Sequence, residues 1–251
     1  MELGSEFNLT LSELSYTEDN FFSYLKQYEK QCIFVDSGRS AIKIIQRDYL
    51  VNGEILLPEF ICESVIKCFP VESVKFYKIT DEFVADVDDI KEKISGETKA
   101  IFLMHYFGAI QPPSIIHRIK EVASENELVI IEDMTHSLFS KYQPIGDYLV
   151  ASIRKWMPIP CGGILLCDKG NSGITYEKYA DNSKVYGMVL KDLYLRGELD
   201  CNPLYRKIFT ECEEKLDVQK EIYRMSDFSQ FVLGCIGIST IIKRRKKILF
   251  S

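Results

Sequence analysis

The chain has 251 residues, 46% of them apolar and 27% charged, enough to bury a large core in one or two domains. That balance excludes a disordered tail, a collagen-like fibre and a disulfide miniprotein. With 31 Lys+Arg against 37 Asp+Glu the net charge is -6, which argues against a general binder of nucleic-acid backbone. The eight cysteines (32, 62, 68, 161, 167, 201, 212, 235) contain no CxxC or CxxH pair, so they read as reduced thiols, mostly small buried hydrophobes, with no metal site. The opening MELGSEFNLT has no basic stretch followed by an apolar one, which predicts no secretory signal. The apolar run near Phe231–Ile242 is too short to span a bilayer. The expectation is a cytoplasmic protein without a membrane partner.

In chain order, short runs rich in Ile, Val, Leu and Phe predict strands at Cys32–Asp36, Glu54–Leu57, Val74–Tyr77, Lys99–His105, Leu128–Glu132, Leu149–Ser152 and Gly163–Cys167. Several carry apolar residues at successive positions, the pattern of strands buried on both faces. Between them, amphipathic stretches predict helices at Ser40–Leu50, Ile61–Cys68, Val87–Ile94 and Pro113–Glu125. This alternation implies an α/β fold, a mostly parallel seven-stranded sheet with helices on both faces. From Tyr176 onward only helical stretches appear, divided near Asn202–Pro203 and Tyr223–Ser226, with a last helix running from about Ser226 to Ser251. The organisation expected is an N-terminal segment (1–30), an α/β domain (31–170) and a helical segment (171–251).

In such sheets ligands sit beyond the carboxyl ends of the strands. Ser37-Gly38-Arg39-Ser40 follows the first strand and opens a helix, a place suited to an anion or to a simple helix cap. His105-Tyr106-Phe107-Gly108 follows the fourth strand, and Glu132-Asp133-Met134-Thr135-His136 ends the fifth. Ser152-Ile153-Arg154-Lys155-Trp156 follows the sixth and leads to Cys161-Gly162-Gly163. Singly, Asp133 reads as well as a helix cap, His105 and His136 as structural histidines, and Lys155 as a solvated surface amine. Together an anion cup, an acid, a histidine and an amine fall on one sheet edge. There is no GxGxxG turn for a dinucleotide and no GxSxG elbow for a hydrolase.

Six segments in order carry a resemblance: DSGRSAIK (36–43), LPEFICESVI (57–66), MHYFGA (104–109), IEDMTHSL (131–138), SIRKWMPIPCGGI (152–164) and YRMSDFS (223–229). The chain resembles the DegT/DnrJ/EryC1/StrS sugar aminotransferases, fold-type I enzymes that use pyridoxal 5′-phosphate. The resemblance implies that Lys155 is the lysine that bonds the cofactor aldehyde and shuttles a proton, and that Asp133 pairs with the pyridine nitrogen. His136 would lie over or beside the ring. Ser37, Gly38, Arg39, Ser40 and Ser152 would hold the phosphate, while Cys62 and His105 complete the cofactor-binding set. It further implies a glutamate donor, a nucleotide-linked keto-sugar acceptor, and a homodimer in which Tyr223 and Arg224 approach the neighbouring subunit's cofactor. Departures are visible. Ile222 stands where the family motif has asparagine and Cys62 where the ring-stacking residue is often aromatic, and the expectation is a chain that leads toward, but lacks, the family's small C-terminal domain. A catalytically silent member that binds the cofactor without turnover is the alternative reading.

Overall fold

The computed structural model describes residues 6–50, 53–168 and 176–249. Seven strands are present: β1 (Gln31–Val35), β2 (Glu54–Pro58), β3 (Val74–Tyr77), β4 (Thr98–Met104), β5 (Val129–Asp133), β6 (Tyr148–Ala151) and β7 (Gly163–Cys167). They form one sheet in the order β1-β7-β6-β5-β4-β2-β3. Strand β7 is antiparallel to both its neighbours, and every other pair is parallel. The carboxyl ends of β1, β4, β5 and β6 therefore share an edge with the amino end of β7.

Each expected strand forms within one residue of its expected ends, and the central ones, β2 and β4 to β7, are buried almost throughout. Along β7 all five residues are buried. Period-two alternation sends Ile164 and Leu166 to one core and Leu165 and Cys167 to another. Likewise Ala100 and Phe102 of β4 face the second core, while Ile101 and Leu103 face a third.

Helices α2 (Gly38–Tyr49) and α3 (Glu63–Ile66) cover one face of the sheet. The other is covered by α4 (Val87–Lys93) and α5 (Pro113–Glu125) at one end. At the other end lie α1 (Phe21–Leu25), α6 (Ser183–Leu195), α7 (Asn202–Val218) and α8 (Asp227–Cys235). That last core joins Leu9 and Phe21 to Leu149 and Ile164 of the sheet and to Tyr205, Phe209, Val232 and Leu233 of the later helices. Full burial of side chains of this size contributes about 1.5–3 kcal/mol each.

Three local expectations are corrected. Helix α2 begins at Gly38, two residues early, because Ser37 takes the cap position and its Oγ accepts from Ser40 N at 3.1 Å. Helix α3 is confined to Glu63–Ile66; Cys62, at its cap, has extended backbone and makes no side-chain cap bond, and Pro70 follows closely. The single last helix is two: Ile236 is extended, and α9 (Ile238–Leu249) starts afresh after Gly237. Asp19 caps this second start, its carbonyl accepting from Ile238 N at 2.9 Å and its carboxylate from Ser239 N at 3.0 Å. The expected domain boundary at residue 170 lies outside the described residues.

Two strand ends meet closely. Gly162 N donates to Asp36 O at 2.6 Å, and Gly163 pairs with Val35 across the sheet. A Cβ at position 163 would overlap the backbone of Ser37 and Gly38. The substitution Gly163→Ala is therefore expected to cost about 3 kcal/mol as overpacking against main chain. A thermal melt reads this as a Tm lower by roughly 6–12 °C; an unchanged melt would show that the two loops separate freely.

Candidate functional site

The first part of the site follows β1. Asp36 is buried, and its carboxylate accepts from Gln219 Nε2 at 2.8 Å and Tyr223 N at 3.3 Å. Ser37 and Ser40 are buried with their hydroxyls 3.1 Å apart at the start of α2. The first amides of a helix have no partner within it and carry its positive end. Gly38 faces Ser152 at the end of β6: a Cβ built on Gly38 would lie 3.1 Å from Ser152 Cβ, so glycine lets the two turns pack this closely. The structure thus brings Ser37, Gly38, Ser40 and Ser152 together. The Arg39 side chain goes elsewhere, pairing with Asp217 at 2.8 Å in a cleft of about 1160 Å³ that Lys43, Lys67, Tyr176 and Tyr223 also line.

The second part is the end of β5, where Glu132 and Asp133 face opposite sides of the sheet. Glu132 is fully buried and satisfied: Oε2 accepts from Ile145 N at 2.8 Å and Gly146 N at 2.9 Å. Its Oε1 lies 3.0 Å from His105 Nε2. Gln111 N donates to His105 Nδ1 at 3.1 Å, which leaves Nε2–H to donate to Glu132. His105 is 0% exposed, with both nitrogens engaged inside the fold. Asp133 is 6% exposed and turns back over its own loop, Oδ1 accepting from Thr135 N at 2.7 Å.

Lys155 is the third part. It is exposed at the end of a one-turn 3₁₀ helix, Ile153–Lys155, between the fully buried Ile153 and Met157. Its neighbours are anchored. Trp156 Nε1 donates to Thr135 O at 2.5 Å, and the indole meets Phe139 edge-on at 5.1 Å. Ser152 N donates to Thr135 Oγ1 at 3.0 Å. Thr135 thus ties the lysine turn to the aspartate turn.

His136 reports how close these groups are. Its pKa lies below the ordinary 6.5 because burial disfavours the cation and the Lys155 charge repels it, while the Asp133 charge pulls the other way. Nδ1 also accepts from Phe107 N at 3.4 Å, a bond that a proton there would break. The Phe107 ring stacks on the imidazole at 5.7 Å with planes 20° apart. Phe107 has φ 55°, an uncommon left-handed backbone for a bulky residue, and is 69% exposed. Phe60, Phe83 and Tyr106 continue this aromatic rim, with successive centroids 5.2–5.6 Å apart. Cys62 is exposed on α3's cap and has no ring contact among those described.

Nothing in the sequence pattern singles out Thr135, Glu132 or Gln111 as organisers of the site; ordinary polar residues acquire that part only through contacts distant in sequence. Tyr223 and Arg224 are tied to this chain's own strand ends, Asp36 N donating to Tyr223 O at 3.0 Å and Arg224 Nε to Tyr176 O at 2.9 Å.

Residues 6–153 match the model of the DegT/DnrJ/EryC1/StrS aminotransferase family. Among curated proteins, the GDP-perosamine synthase of Escherichia coli O157:H7 is 26% identical over 145 residues, covering 55% of this chain and 36% of that protein. NtdA from Bacillus subtilis, solved with bound cofactor PMP, superposes with a TM-score of 0.52 at 18% identity, over 66% of this chain and 39% of that one. The aminotransferase TlmJ from Streptoalloteichus hindustanus does so with a TM-score of 0.53 at 18% identity, over 67% and 54%. These structures establish the shared fold. The chain spans about a third of the length of its curated relative.

With three histidines in the chain, the His136 titration is resolvable by NMR. Its midpoint is expected below 6.5. Lys155→Met should move it upward by removing the repelling charge. A histidine with a depressed folded pKa destabilises the fold as pH drops below its unfolded value, so wild type should lose more stability below about pH 6.5 than His136→Gln. A midpoint indifferent to Lys155→Met would mean that the two side chains do not share a site.

Proposed function

Since the chain belongs to the DegT/DnrJ/EryC1/StrS aminotransferase family, we propose that it binds pyridoxal 5′-phosphate and transfers an amino group, with glutamate as donor and a nucleotide-linked keto-sugar as acceptor. The observation that carries this reading is the meeting of Lys155, Asp133 and His136 beside the start of α2, with His136 sensing both charges. The donor set suits the cofactor. A buried carboxylate matches a pyridine nitrogen, an exposed primary amine matches an aldehyde, and a helix N-terminus with serine hydroxyls matches a phosphate. The close approach of Gly38 to Ser152, which a side chain at 38 would crowd, keeps the turn after β6 against the start of α2.

In this reading Ser37, Gly38 and Ser40 seat the phosphate through α2's first amides and hydroxyls, and Ser152 adds a further hydroxyl. Arg39 contributes its backbone amide, since its guanidinium is held by Asp217. Asp133 would pair with the ring nitrogen and keep it protonated, and the cofactor, when bound, would supply an electron sink for charge developing at the substrate carbon. Lys155 Nζ provides the covalent anchor and carries the proton that amino transfer must move. His136, kept neutral by burial and by Lys155, packs beside the ring without adding charge. His105 acts from behind, locking Glu132 and the start of the β4–α5 loop. A homodimer and a cytoplasmic setting are part of the same proposal.

The test is absorbance of the purified chain with pyridoxal 5′-phosphate, then borohydride reduction and peptide mapping. Wild type should carry the reduced label at Lys155, and Lys155→Ala should lose it. Asp133→Asn should keep the label but slow amino transfer from glutamate on the order of 10²-fold. Labelling scattered over surface lysines would overturn the assignment, and a Lys155 label with no transfer from glutamate would support the silent alternative.

A further inference from the structure

The helices that follow the sheet reach the lysine turn from below. Arg154 Nη1 donates to Glu213 Oε1 of α7 at 2.7 Å, and Lys184 Nζ of α6 reaches the same oxygen at 2.8 Å. Lys184, only 3% exposed, also pairs with Glu6 at 2.9 Å. Burial pushes the Glu213 carboxyl up, but the Arg154 and Lys184 charges outweigh it and hold it down at about 2. A second tether lies at the other end of the loop. Cys161 Sγ contacts Ser229 Oγ at 3.2 Å and Ser226 Oγ at 3.3 Å, at the N-terminus of α8.

Stability alone does not account for the Arg154 pair. Its Nε is buried with no hydrogen-bond partner, a cost that a well-packed apolar side chain would avoid. What the pair does is geometric. Residues on both sides of Lys155 are fixed to different elements, Arg154 to Glu213 of α7 and Trp156 to Thr135 O of the turn after β5, so the backbone that carries Lys155 is held from two sides in sequence.

We propose that Arg154 and Glu213 are positioning residues: the ion pair between the lysine turn and α7 sets where the Lys155 amine stands relative to Asp133. The proposal rests on Lys155 being the reactive amine, and it assigns α7 a part in the site.

The chain's single tryptophan is a built-in reporter, because Trp156 adjoins Lys155 and is packed on Phe139. Two readouts are taken on the full chain after circular dichroism confirms folding. One is Trp156 emission without cofactor. The other is borohydride-trapped pyridoxal 5′-phosphate at Lys155, relative to the exposed Lys120. Variants Glu213→Gln and Arg154→Met are expected to red-shift the emission and lower the Lys155:Lys120 ratio by about tenfold or more, as small misplacements of a reacting group do. Arg154→Lys, which keeps the charge at a slightly shorter reach, should recover part of both. Lys191→Met removes a comparably buried α6 lysine, bound to Glu6 O, and should leave both readouts within about twofold of wild type. Unchanged emission and ratio in Glu213→Gln and Arg154→Met would overturn the proposal, as would an equal loss in Lys191→Met, which would signal general loosening. A wild type that labels Lys155 no better than Lys120 would instead remove the functional reading, and this proposal with it.

Discussion

The arrangement depends on one close approach, where the exit of β1 and the entry of β7 pass with no side chain between them. Gly163 sits against the peptide of Ser37 and Gly38, and Gly162 N holds Asp36 O at 2.6 Å. Because β7 is antiparallel to β1 and β6, that contact lies on the edge where β5 and β6 also end. It brings the amides of α2 to the end of β6, where Ser152 and the Lys155 turn begin. The two glycines are therefore a spacing requirement first, and any chemistry at this edge inherits it.

A second layer of constraint is polar and buried. Glu132 spends both oxygens on His105 and on the turn at Ile145–Gly146, so the residue beside Asp133 works as an internal brace. Gln111 does similar work, its amide reaching Phe83 O at 3.0 Å and Met104 O at 3.1 Å and thereby fixing the loop that carries Phe83 to the aromatic rim. Below the sheet, Lys184, Lys191 and Asp192 are all nearly inaccessible, and each is paired with the N-terminal segment or with α7. Buried charges of this kind tolerate few alternative packings, because separating any pair leaves an uncompensated ion in a low-dielectric interior.

The rim differs in character. Phe107 and Phe60 expose large apolar rings, Phe107 stacked on His136, and both Phe83 and Phe107 hold left-handed backbone. Such conformations persist only where surrounding bonds over-determine them. Here the Phe107 amide bonds His136, and Ser140 Oγ bonds Gly108 O at 3.0 Å. The imidazole is thus held by the same loop that presents the rings.

Much of this was legible in the chain itself. Doubly apolar strands such as Gly163–Cys167 announced a sheet covered on both faces, and strand order along the chain put Asp133, His136 and Lys155 after consecutive strands, since a parallel α/β sheet gathers its carboxyl ends. Local signals failed where a distant group decided the outcome. Asp19 caps a new helix at Ile238 and breaks what reads as one continuous helix. His105 and His136 look alike in sequence, each within three residues of the end of a buried strand. Only tertiary contacts separate them, one sealed between Glu132 and Gln111 and the other set beside Asp133 and Lys155. Arg39 stands in the anion-binding turn by sequence, yet Asp217, nearly 180 positions away, claims its side chain. Periodicity and turn chemistry act over a few residues and so determine the elements and their order. The destination of a long polar side chain is settled by whichever opposite charge the folded chain brings within reach, and only the tertiary structure decides that.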